Sequence, residues 1–230
     1  MYTPMIPLFA ALTFGFYYEW PRGTLEMEFY EKLNFTRKVL ELVERAEIYL
    51  GTPITVAFVA PLPFEPPFIE NDKVLGKYAP LTNVIDRSKV LVQFEERVCL
   101  EGVDVSFIIT PYLIGTYEST EKMTTSVAYT GFASGIGTGR SAIVRFERYT
   151  RNFNDAFLRT VLHELGHLIG LKHVEVELGE GMCEKYLELT GKWYIMCSTS
   201  SSNIFINRNY YDALEKWQDE LENRTAECSK

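Results

Sequence analysis

Three histidines decide most of what this chain can fold into. They are the only three in 230 residues, and all of them fall within His163-Glu164-Leu165-Gly166-His167-Leu168-Ile169-Gly170-Leu171-Lys172-His173. Residues four apart share one face of a helix, so His163 and His167 point the same way. Two imidazoles placed like that suit two corners of a tetrahedral zinc. A third ligand from the next turn would point away, so the chain has to break and come back. Gly170 supplies the break, since a residue without Cβ enters positive φ without a clash. His173 then completes a set of three, which leaves the fourth position to water and marks a catalytic rather than a closed site.

Glu164 stands beside the first ligand. Water bound to zinc has its pKa lowered to about 7. A neighbouring carboxylate can take the proton as that water attacks a carbonyl, then hand it to the leaving amine. The expected chemistry is amide hydrolysis with one catalytic zinc, His163, His167 and His173 as its ligands and Glu164 as the base. Phe157, Leu158, Val161, Leu162, Leu165, Leu168 and Ile169 give the helix an apolar body that holds the ligands in place.

Composition narrows the alternatives. Hydrophobic residues make up 47% and charged residues 23%, enough for a sizeable core. A net charge of −8 excludes nucleic-acid binding through bulk charge. No apolar run is long enough to span a bilayer. Glu outnumbers Asp 25 to 6 and there are two Gln, a bias of heat-adapted proteins. The first twenty residues are apolar and free of Lys and Arg, which argues against a secretory signal and for a buried strand around Leu8–Tyr18. A degenerate signal cut near Ala10 or Ala11 is the alternative. The expected location is inside a heat-adapted cell, with secretion open, and the expected state is a monomer.

The pass along the chain predicts strands at 54–60, 90–94, 103–110, 126–134 and 141–149. A helix is expected from Glu31 to Leu50 with Gly51 as its cap, and 24–30 stays open between strand and helix. A second helix runs from Asp155 to about Leu171 behind Asn154 as cap. Residues 174–192 read as acidic and irregular. The last helix covers 209–223, with Tyr210, Leu214, Trp217 and Leu221 on one face. Gly135-Ile136-Gly137-Thr138-Gly139-Arg140-Ser141 lacks the ending of a phosphate loop and precedes a strand, so it reads as a flexible connection. Four cysteines allow three pairings. Cys183 and Cys197 lie 14 apart in the sequence and are the favoured pair, which leaves Cys99 with Cys228.

With this motif in place, the sequence resembles the metzincin clan of zinc endopeptidases. The candidate methionine turn is Tyr194-Ile195-Met196-Cys197. The resemblance implies an α+β, zincin-like domain over 1–230: a twisted mixed sheet and active-site helix in 1–172, then a mostly irregular or helical part in 173–230. It implies polypeptide substrates bound extended along an edge strand, for which 126–134 is the candidate. Subfamily markers do not converge. Val174 stands where archaemetzincins have Cys, reprolysins Asp, matrixins Ser and astacins Glu. The four-cysteine second zinc site of archaemetzincins is not matched, and Ser198 replaces the tyrosine ligand of astacins and serralysins. Cys197 and Cys228 lean toward reprolysins. Two other functions stay open: an inert scaffold that only binds, and a hydrolase of non-protein amides.

Overall fold

Alternation along the strand Leu12–Tyr18 (β1) decides how the molecule is layered. Successive side chains leave opposite faces of a strand. Leu12, Phe14, Phe16 and Tyr18 enter the main core, while Tyr17 joins a smaller cluster on the other side. The computed structural model describes residues 11–18, 25–62, 84–86, 90–91, 102–110, 113–115, 131–145, 153–198 and 203–228. Among these, β1 is followed by helix α1 (Leu25–Leu50) and strands β2 (Ile54–Pro61), β3 (Val84–Asp86), β4 (Val105–Thr110), β5 (Leu113–Gly115), β6 (Gly131–Ala133) and β7 (Ser141–Arg145). Helices α2 (Phe153–Leu168), α3 (Val174–Leu178) and α4 (Met182–Thr190) come next, then β8 (Trp193–Tyr194), β9 (Ile204–Phe205) and α5 (Arg208–Cys228).

The main sheet has the order β2-β1-β4-β7-β6. Its first four strands are parallel, and β6 runs antiparallel to β7 at the edge. The expected mixed sheet is therefore present and mostly parallel. Parallel strands are covered on both faces. On one face, Phe35, Val39, Leu42, Val43, Ala46 and Leu50 of α1 and the apolar side of α2 pack on Phe14, Phe16, Phe107, Ile109 and Val144. On the other, Tyr17, Ile108 and Ile143 meet Val90, Leu91 and Ile114. β3 pairs with β5 and β8 with β9, both in parallel.

Several expectations change. α1 starts at Leu25, so the alternation of Leu25, Met27 and Phe29 belongs to a helix, and Gly51 ends it at φ 66°. Residues 90 and 91 are helical, not strand. Both are fully buried, and a short apolar run buried all round has no period to tell strand from helix. Asn154 lies inside α2, which stops at Leu168 rather than Leu171 because Gly170 turns the backbone to φ 102°. Residues 174–192 are not irregular: they form α3 and α4, punctuated by Gly179, Gly181 and Gly191 at positive φ. Residues 92–94, 126–130 and 146–149 of the expected strands lie outside the described residues, as does Cys99.

Candidate metal and active site

The site is assembled where α2 ends. His163 and His167 leave the same face of α2, one turn apart, with ring centroids 4.8 Å apart. After Leu168 the chain reverses: Gly170 N–H donates to the His167 carbonyl and Leu171 N–H to that of Gly166. Extended backbone at His173 (φ −59°, ψ 139°) then brings the third imidazole back. Its Nε2 lies 3.0 Å from Nε2 of His163 and 3.1 Å from that of His167.

The other ring nitrogens fix the tautomers. His163 Nδ1 donates to the Ile195 carbonyl at 2.7 Å, and His167 Nδ1 to that of Leu171 at 2.8 Å. With their protons spent there, both rings present bare lone pairs at Nε2. Lone pairs aimed at one point repel one another unless a cation lies between them. Burial holds His163 down to about 3, against the hydrogen bond to Ile195 and reinforced by the charges of His167, His173 and Arg159. Burial lowers His167 as well. Both are therefore neutral, the form that binds metal. Three converging Nε2 atoms, two of them on neutral imidazoles whose Nδ1 groups are bonded to backbone carbonyls, fit zinc on donor chemistry alone.

Below the histidines lies a tight turn. Cys197 N–H donates to the Tyr194 carbonyl at 3.0 Å, and fully buried Met196 sits at its corner. A Cβ on Gly166 would stand 2.2 Å from Met196 Sδ, so the glycine of the histidine helix is what lets the methionine approach. The same turn gives Ile195 O to His163 and accepts Val174 N–H at Met196 O. It is tied again by the Cys183–Cys197 disulfide, with Cα atoms 5.9 Å apart, as the cysteine spacing suggested. Ser198 N–H and Oγ both donate to the Glu175 carboxylate. Burial pushes Glu175 up, but these bonds, its own backbone and the nearby His173 outweigh it and leave it below its ordinary value.

Glu164 is buried and faces the edge strand. Burial pushes its carboxyl up to about 8, opposed by a hydrogen bond from the Ala133 backbone and by the charge of Arg159. A Cβ on Gly131 would meet Glu164 Oε1 at 2.5 Å, so only glycine lets β6 lie this close. Glu164 Oε2 is buried with no hydrogen-bond partner, an acceptor open to a ligand proton. These groups line a cleft of about 510 Å³.

Comparison with solved structures finds a likeness over almost the whole chain. The archaemetzincin from Methanopyrus kandleri superposes with a TM-score of 0.51, 13% identity, and coverage of 95% of this chain and 99% of that one. The fold is similar to that of an archaemetzincin. A zinc-dependent peptidase from Methanocorpusculum labreanum scores 0.45 at 16% identity, covering 87% and 92% of the two chains. Metalloproteinase-II from Bacteroides fragilis scores 0.42 at 17% identity, covering 90% of this chain and 53% of that one. No family profile matches this sequence, and no curated protein matches it. Where archaemetzincins carry a cysteine after the third histidine, this chain buries Val174, and Cys183 and Cys197 are bonded to each other.

Among the cleft residues that went unread in the sequence are Gly131, Ala133, Arg159, Thr160, Lys172 and Val176. Arg159 had a signal, since it lies four before His163 and so on the ligand face. Gly131 had none, because its role depends on which strand lies beside α2. The Gly-rich connection also does more than connect. Gly137 N–H donates to the His167 carbonyl at 3.0 Å, and a Cβ there would press on Gly170 at 3.3 Å.

Proposed function

We propose that the chain is a metzincin-type zinc endopeptidase. The observation that carries the reading is the convergence of three Nε2 atoms, two of them with their partner nitrogens bonded to backbone carbonyls. His163, His167 and His173 would hold one zinc. Zinc there supplies a Lewis acid for the scissile carbonyl and lowers the pKa of water. Glu164 is the general base: its unpartnered Oε2 takes a proton from the attacking water and returns it to the leaving amine. The Ala133 backbone holds that carboxyl in place. Met196 and the apolar side of α2 belong to one buried core cluster beneath the site. The likeness to an archaemetzincin fold supports the same reading.

The proposal is tested with Glu164→Ala, which should keep the metal and lose peptide hydrolysis by about 100-fold or more. Activity within tenfold of the wild type would mean another base does the work. The substrate is proposed to bind extended along the outer edge of β6, whose inner edge is occupied by β7. Strand addition relies on main-chain hydrogen bonds that alternate along the peptide. N-methylation of substrate peptides should therefore impair cleavage at every second position near the scissile bond. Uniform tolerance of N-methyl groups would remove β6 as the platform.

A further inference from the structure

The cleft is electrically unlike the rest of the molecule. The chain carries −8 overall, yet the described cleft lining holds Arg159 and Lys172 and no carboxylate other than Glu164. Arg159 is partly buried, and among the described residues its guanidinium has no hydrogen-bond or ion-pair partner. Burial lowers its pKa, opposed by the charge of Glu164. A guanidinium nevertheless stays protonated, and its planar fork matches a carboxylate through two parallel hydrogen bonds. A partly desolvated cation that feels Glu164 but makes no hydrogen bond or ion pair among the described residues, on the wall of a cleft, is a place where a ligand charge is worth most.

Its position limits where that charge must be. Arg159 precedes His163 by one helical turn, a rise of about 6 Å. An extended peptide advances about 3.3 Å per residue. We propose that Arg159 selects peptides with a carboxylate within two residues of the scissile bond, supplied by an acidic side chain or by a free chain end. This deepens the peptidase reading and rests on it.

The test uses the zinc-loaded protein and matched peptides: Asp or Glu against Asn or Gln near the scissile bond, each with a free or amidated C-terminus. Wild type should favour the carboxylate member by roughly tenfold or more in kcat/KM. Acid side chains that count regardless of amidation identify the side-chain source; a preference abolished by amidation identifies the chain end. Arg159→Gln should bring the ratio toward one, Arg159→Lys should keep part of it, and Arg159→Glu should turn it toward basic peptides. These ratios are insensitive to a general loss of folded protein. Equal ratios in wild type and Arg159→Gln would overturn the proposal while leaving the peptidase reading intact. If no peptide is cleaved, the peptidase reading fails. The same pairs with a non-hydrolysable isostere are then titrated for binding. Tighter binding of the carboxylate member, lost in Arg159→Gln, upholds the assignment, and equal affinity overturns it.

Discussion

Glu164 and His163 are neighbours in sequence, yet burial drives them in opposite directions. His163 is held down to about 3 from 6.5, and Glu164 is raised to about 8 from 4.5. Both shifts keep the groups neutral while no metal is present. The consequence for stability follows from proton counting. Between about 3 and 6.5 the folded chain binds fewer protons at His163 than the unfolded chain, so stability is lost as pH falls. Between 4.5 and about 8 it binds more at Glu164, so stability is lost as pH rises. Metal-free protein should be most stable in the overlap, between 4.5 and 6.5. Denaturant melts of metal-free wild type and Glu164→Gln check the alkaline limb: the variant should gain on the wild type from about pH 5 to about pH 8. A difference that stays flat with pH would mean that Glu164 ionises normally. At this scale the histidines and Glu164 were legible because their spacing is a helical property. Gly131 and Ala133 were not, because which strand lies beside a helix is settled by the whole sheet.

Among the elements, the turn at Tyr194–Cys197 has the most depending on it. It orients His163 through Ile195, holds Val174 through Met196 and is bonded to α4 through Cys183. A disulfide closing a loop of 14 residues contributes about 3 kcal/mol in the chain-entropy account. Replacing Cys183 and Cys197 together by Ser should lower unfolding stability by about that amount, measured in denaturant, with zinc still bound. Unchanged stability would show that Ser198–Glu175 and the core contacts of Met196 suffice without it. Long elements with a clear period were readable: α1 through its buried face and α5 through Tyr210, Leu214, Trp217 and Leu221, all buried as expected. Strands of two or three residues, such as β3, β5, β8 and β9, carry no period. α3 and α4 escaped for another reason. Their exposed Glu-rich faces and three glycines resemble a loop in sequence, while their burial rests largely on Val174 and Cys183.

Over the whole molecule, two layers of helix and sheet bring distant segments to one cleft. α5 is fastened to the histidine helix by Tyr210 Oη donating to the Leu162 carbonyl, and to α1 by Tyr211 Oη donating to that of Tyr49, each at 2.7 Å. The three histidines thus stand on elements tied to one another by side-chain-to-backbone hydrogen bonds as well as by the core. The mixed sheet, the edge strand within 126–134 and the closing helix were legible; the parallel pairings and the antiparallel direction of β6 were not, since they depend on contacts far apart in sequence. On the proposed reading this scaffold holds one zinc on His163, His167 and His173. The most direct test of that reading is a competitive zinc titration of wild type beside His173→Ala. One zinc per wild-type chain is expected, with affinity in the variant reduced by roughly two orders of magnitude or more. A wild type that takes no zinc, or a variant that binds it as tightly, would contradict the account.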